Sequence, residues 1–170
     1  MATIGHIAAG IAIAQAGRGG RRDYLAVALV TAASVSPDID LVFGINHRGP
    51  THSIGFAAIV ALVVALVLRL SSHPTPRGTA ILCFVAVLSH IALDFLTVSA
   101  PIAALWPITS LEFKFAHPIL PSVPLDDRIA TLRGLVNAAT EMAWSAMLIA
   151  AGVWIGARMR GRSLGLRGGR

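Results

Sequence analysis

Residues 79–98 read TAILCFVAVLSHIALDFLTV. The first half of this stretch, Thr79 to Leu88, is uncharged and almost wholly apolar. Twenty such residues, rising about 1.5 Å each as a helix, match a bilayer core of about 30 Å. The second half carries His90 and Asp94. Their i, i+4 spacing puts both on one helix face. An ionisable pair among apolar neighbours is costly in hydrocarbon unless a cation or a partner offsets it, so it marks function.

The segments on either side follow the same pattern. Thr51–Leu70 and Leu135–Ala157 are also long enough to span, whereas Ile4–Ala16 and Tyr24–Ser36 are shorter. The reading is an all-α, multi-pass membrane helical bundle with three long spanning helices and two shorter N-terminal helices. Pro37 should end the second helix, because proline removes a donor and disfavours helix at the residue before it. Residues 1–157 form a single membrane-embedded domain. Residues 158–170, rich in Gly and Arg, are expected to be a disordered cytoplasmic tail. The N-terminal stretch lacks a basic lead and a small-residue cleavage site, so it reads as a retained helix.

Composition agrees. The 170 residues are 55% hydrophobic and 13% charged, against about 25% charged in a soluble domain, and the mean hydropathy is +0.74. The lone Cys83 rules out an intramolecular disulfide and a thiolate zinc site and reads as a small buried hydrophobe. The net charge is +6, with Arg in short runs between apolar segments. That favours an anionic membrane surface and membrane lipids as partners over nucleic acid. If the C-terminus is cytoplasmic and every segment crosses, ten of the 14 basic residues lie on the cytoplasmic side, as the positive-inside rule requires.

On that topology the polar residues converge. His6 opens the first segment. Asp38 and Asp40 follow the second, spaced so that an extended stretch would aim both to one side. His47 and His52 precede the third, His90 and Asp94 sit late in the fourth, and Glu141 lies early in the fifth. All fall toward the extracytoplasmic face. Imidazole and carboxylate without thiolate suit Zn²⁺, with Mn²⁺ or Fe²⁺ as alternatives, and the donors allow one ion or two. The expected ligands are His6, Asp38, Asp40, His47, His52, His90 and Asp94. Asp40 or Glu141 would act as general base. Arg48 offers a fork for a phosphate or carboxylate, or equally a lipid-headgroup contact. His73 lies on the opposite face, and Glu112 and His117 fall in the long Pro-rich connection after residue 98.

Four motifs carry a resemblance over roughly residues 4–100: Gly5-His6 with Gly10; Pro37-Asp38-Ile39-Asp40; His47-Arg48-Gly49-Pro50-Thr51-His52-Ser53; and Ser89-His90 through Asp94 to Thr97. In these the chain resembles the bacterial inner-membrane metal-dependent hydrolase family, also described as LexA-regulated or LexA-binding membrane proteins. That family commonly opens on Thr-His, where this chain has Gly5-His6. The resemblance implies metal-dependent hydrolysis and supports the His and Asp set as its site. The LexA link comes with the family description and with no motif in the chain. A site at the membrane face suits an amphiphilic ester or phosphoester. A metal-stabilised, non-catalytic scaffold is the alternative. Transport needs polar residues along the whole depth, and Ile59–Leu68 and Thr79–Leu88 offer almost none.

Overall fold

A computed structural model describes residues 3–17, 23–44, 48–97, 101–115, 119 and 130–165, without the side chains of 162–165. The elements are α1 (Thr3–Gly17), α2 (Tyr24–Val35), α3 (Ile39–Phe43), α4 (Ile54–Leu70), α5 (Pro76–Leu96) and α6 (Leu132–Gly165). The described residues form no strand; a single antiparallel bridge joins Ile102 to Phe113. The all-helical membrane bundle read from the sequence is therefore what the chain forms.

Which helices are long differs in one respect. Three stretches are long and apolar enough to cross a membrane: Tyr24–Phe43, Pro76–Leu96 and Leu132–Gly161; Thr3–Gly17 and Ile54–Leu70 are shorter. The second segment gains its length because Pro37 does not end the helical path. Ser36–Asp38 forms a 3-10 turn with Pro37 in its first positions, where a missing N–H costs nothing. Residues 39–43 then continue as α3, and Gly44, at φ 63°, closes it in the left-handed region that glycine tolerates. Asp38 and Asp40 accordingly stand on helical turns, not on an extended stretch. The third segment loses length at its start. Pro50–His52 forms its own 3-10 turn, and Ser53 begins α4 as an N-cap, its hydroxyl accepting from the Phe56 amide at 3.1 Å.

Close approach of small residues packs the bundle. Helix α1 buries Gly5, Ala8, Ala9, Gly10 and Ala14 and packs against α2, α5 and α6, while α4 packs on α5. At the α1–α6 crossing a Cβ on Gly152 would collide with the Ala12 backbone. Ala14, Val30, Ala33, Ala57, Cys83, Ala86, Val87, Ile91 and Ile102 form the core, so Cys83 is the buried hydrophobe its neighbours suggest. Outward, Ile59, Leu62, Val63, Leu66 and Val67 of α4 stay exposed, as a lipid-facing surface requires.

Helix α6 runs past residue 157 to Gly165, so the first part of the expected disordered tail is helical. Arginine is a good helix former, and the Arg158 guanidinium lies 4.0 Å over the Trp154 ring one turn back. Residues 166–170 lie outside the described set.

Candidate metal centre

One end of the bundle brings together His6 from α1, Asp38 and Asp40 after α2, Arg48 and His52 before α4, and His90 and Asp94 from α5. His52 and His90 are fully buried, and His6, Asp40 and Asp94 nearly so; Asp38 at 22% and Arg48 at 14% keep the most exposure. Two donor groups that could hold an ion share His90: His6, His90 and Asp94; and Asp38, His52 and His90.

The hydrogen bonds behind the rings decide which nitrogens are free to donate electrons. His90 Nδ1 lies 2.7 Å from the Ser34 carbonyl oxygen. A carbonyl only accepts, so Nδ1 carries the hydrogen and Nε2 of the neutral ring is a bare lone pair. Pro37 supplies the local reason, since regular helical bonding breaks down in the last turn of α2. On His52, Nδ1 faces Asp40 Oδ2 at 3.3 Å and the Thr51 hydroxyl at 3.1 Å. The Thr51 hydroxyl spends its own hydrogen on Asp40 Oδ2, at 2.8 Å, so it accepts from Nδ1. His52 Nε2 is therefore also bare.

These two bare nitrogens face each other at 3.2 Å. Two lone pairs at that distance repel unless a cation or a shared proton lies between them. The surroundings supply negative charge for a cation. Asp38 Oδ1 lies 3.7 Å from His52 Nε2 and 3.5 Å from His90 Nε2. Asp94 Oδ2 lies 3.6 Å and 3.8 Å from the same two nitrogens. Donors bound about 2.0–2.2 Å from one ion stand about 2.8–3.6 Å apart along a coordination edge. The observed separations, from 3.2 Å to 3.8 Å, run from the middle of that range to slightly beyond it, so a small contraction would let the residues fit a first-row divalent ion.

His6 stacks on His90, with ring centroids 3.7 Å apart and planes 19° from parallel. Its Nε2 lies 3.3 Å from Asp94 Oδ1, while its Nδ1 is buried without a hydrogen-bond partner. Arg48 places Nε 3.4 Å from Asp94 Oδ2 and donates its backbone N–H to Asp40 Oδ2 at 3.1 Å. Its φ of 71° is unusual for a residue with a side chain, and the Ala103 amide bonds to its carbonyl at 3.2 Å.

Residues 1–163 match the model of a family described as YdjM inner membrane protein. The chain belongs to this family. With its three apolar helices it is an inner-membrane protein. No curated protein and no solved structure matches it significantly.

Several expected site residues stand elsewhere. Asp40 lies behind His52, on the opposite ring nitrogen from the one Asp38 faces, so the two carboxylates flank one imidazole. Glu141 sits on α6 and accepts from the Gly5 amide at 3.1 Å. It thus holds the first turn of α1, where amides have no helical partner, beside His6. His47 and His117 lie outside the described residues. Glu112 is exposed, in the segment after α5. His73 is at the far end of the bundle, with Nε2 3.4 Å from Asp23 Oδ2. Thr51 and the Ser34 carbonyl join the site beyond the residues expected from the sequence. Thr51 was visible as the polar neighbour of His52 in the Gly49–Ser53 motif. The Ser34 contribution is a main-chain atom, for which no side chain signals.

Proposed function

We propose that this chain is a membrane-embedded, metal-dependent hydrolase of an ester or phosphoester carried by an amphiphile. The facing Nε2 atoms of His52 and His90, each bared by a hydrogen bond on its other nitrogen, carry the reading. With Asp38, Asp94 and the stacked His6, they would hold a divalent transition metal. Zinc suits the donor set best, with manganese or iron as alternatives. His90 belongs to both donor groups, and with Nδ1 on the Ser34 carbonyl it has one nitrogen to offer, which favours one ion over two. Bound there, such an ion supplies a water of near-neutral acidity and a Lewis acid for the scissile group.

The protein's own groups divide the remaining work. Asp40 and Thr51 fix the tautomer and aim of His52, and the Ser34 carbonyl does so for His90. Arg48 offsets the Asp94 charge and keeps some exposure, so an anionic headgroup would meet its guanidinium there. Asp38, the most exposed of these carboxylates, would be the route by which a proton released at the site reaches solvent, while Asp40 and Glu141 are engaged by His52 and the Gly5 amide. The positive-inside bias supports an extracytoplasmic opening with the C-terminus in the cytoplasm.

Burial of the remaining donors favours a second reading, a metal-stabilised scaffold with no open position. The test is to purify the protein in detergent, quantify bound metal, and repeat with His90→Ala and Asp94→Ala. Wild type should carry stoichiometric metal and both variants should lose it. Absence of metal from wild type would sink both readings. Metal-dependent turnover of phosphoester or lipid-ester substrates, lost in the variants, would separate enzyme from scaffold.

A further inference from the structure

The segment after α5 has the composition of a membrane surface, not of a loop in water. Residues 101–115 read PIAALWPITSLEFKF, with Glu112 and Lys114 as the charged residues. The segment is folded. Ile102 and Phe113 exchange both backbone hydrogen bonds, each 2.9 Å, and the Ile102 side chain is fully buried in the bundle core. Ala103 is buried beside it and Ala104 packs on the core, while the larger apolar side chains further along face outward: Ile108 is 87% exposed and Leu111 66%, with Phe113 and Phe115 also exposed.

The segment sits on the end of α4, one of the two apolar helices that fall short of a full span. The first amides of α4 bond to its carbonyls, Ile54 to Ala104 at 2.9 Å and Gly55 to Trp106 at 3.2 Å. A Cβ on Gly55 would strike Pro107 and the Trp106 carbonyl, so the approach is close. Helix α4 has 17 residues, about 25 Å at 1.5 Å each, roughly 5 Å short of an apolar core of about 30 Å. Its exposed apolar surface, at Ile59, Leu62 and Leu66, is continuous with Ile54 and the segment bonded to it.

We propose that residues 101–115 are immersed in the lipid leaflet at the metal-centre end and complete the apolar thickness that α4 lacks. Ile108 and Leu111 enter the acyl region. Trp106 stands at headgroup level, where its amphipathic ring is favoured, and Glu112 and Lys114 extend toward water. Through the Ala103–Arg48 bond the immersed segment borders the Arg48 corner, so that corner is reached from the lipid headgroup layer. The proposal rests on the membrane-spanning helices and holds whether or not the centre is catalytic.

The test is a single nitrobenzoxadiazole label at Ile108→Cys or Leu111→Cys in a Cys83→Ala background. The protein is reconstituted in vesicles of equal parts phosphatidylcholine and phosphatidylglycerol. A label at Ser71→Cys, at the opposite end of α4, serves as the water-exposed control. Labels at 108 and 111 should be quenched by doxyl-bearing lipids and be several-fold less quenched by iodide than the control. Iodide quenching equal to the control overturns the proposal. So does shielding from iodide without doxyl-lipid quenching, which means that protein, such as a second copy, covers the segment. If the cysteine variants fail to fold, a protein with Trp106 as its sole tryptophan (Trp144→Phe, Trp154→Phe) replaces them. Brominated lipids should quench its emission, and failure to do so overturns the proposal equally.

Discussion

Replacing Asp40 with Asn separates two roles that the residue types alone leave merged. If Asp40 orients His52 from behind, Asp40→Asn keeps the shape and the acceptor oxygen for Thr51 and the Arg48 amide. It weakens the charge facing His52 Nδ1, which lies 3.3 Å from the carboxylate. Loss of such a supporting carboxylate typically weakens metal binding about 10–100-fold, or about 1.4–2.7 kcal/mol. The assay is competition for zinc against a chromophoric chelator in detergent, with thermal unfolding recorded in parallel. The expected result is unchanged stoichiometry with an affinity lower by one to two decades, against loss of stoichiometric binding in His90→Ala. Loss of metal as complete as in His90→Ala, in a protein that still melts cooperatively, would refute the reasoning and make Asp40 a ligand. An affinity equal to wild type would refute it from the other side.

Three further outcomes follow from described contacts. Chelation with EDTA should lower the melting temperature and zinc should restore it; free ion at a hundred times its Kd contributes about 2.7 kcal/mol, so an indifferent melt argues against a folded-state ion site. Glu141→Gln keeps an acceptor for the Gly5 amide and should preserve both metal and fold, whereas Glu141→Leu strands that amide at a cost of about 1–3 kcal/mol; loss of turnover in a stable Glu141→Gln protein would return Glu141 to the role of base. Gly152→Ala places a Cβ against the Ala12 backbone and should destabilise the α1–α6 crossing by about 1–3 kcal/mol, seen as a lower melting temperature in detergent; a melt equal to wild type would mean the crossing yields freely.

Much of the arrangement was legible because its signals are local. Thr79–Val98 announced both the span and the charged pair within it, and His52, His90 and Asp38 were found from residue type and topology. What escaped depended on main-chain direction. Pro37 reads as a helix stop, yet a 3-10 turn absorbs it and carries the second span on to Phe43. The spacing of Asp38 and Asp40 identifies two carboxylates, but not that they face opposite nitrogens of one ring. Glu141 reads as a candidate base from its residue type and its place on the shared face, and the Gly5 amide that it accepts from has no signature in the sequence. The segment at 101–115 reads as part of a long Pro-rich connection because its prolines stand out more than its apolar density.

The order of the donors along the chain bears on how the protein is made. His6, Asp38 and His52 are synthesised before His90 and Asp94, and domains assemble from the N-terminus as the chain emerges. The first three helical segments therefore enter the bilayer with imidazoles and carboxylates that lack their partners, an arrangement membranes tolerate poorly. Arrival of α5 supplies the missing pair. Arrival of α6 then brings Glu141 to the first turn of α1. A chain that stops short of α5 is left holding half of a charged cluster, and is the form a quality-control protease would be expected to recognise first.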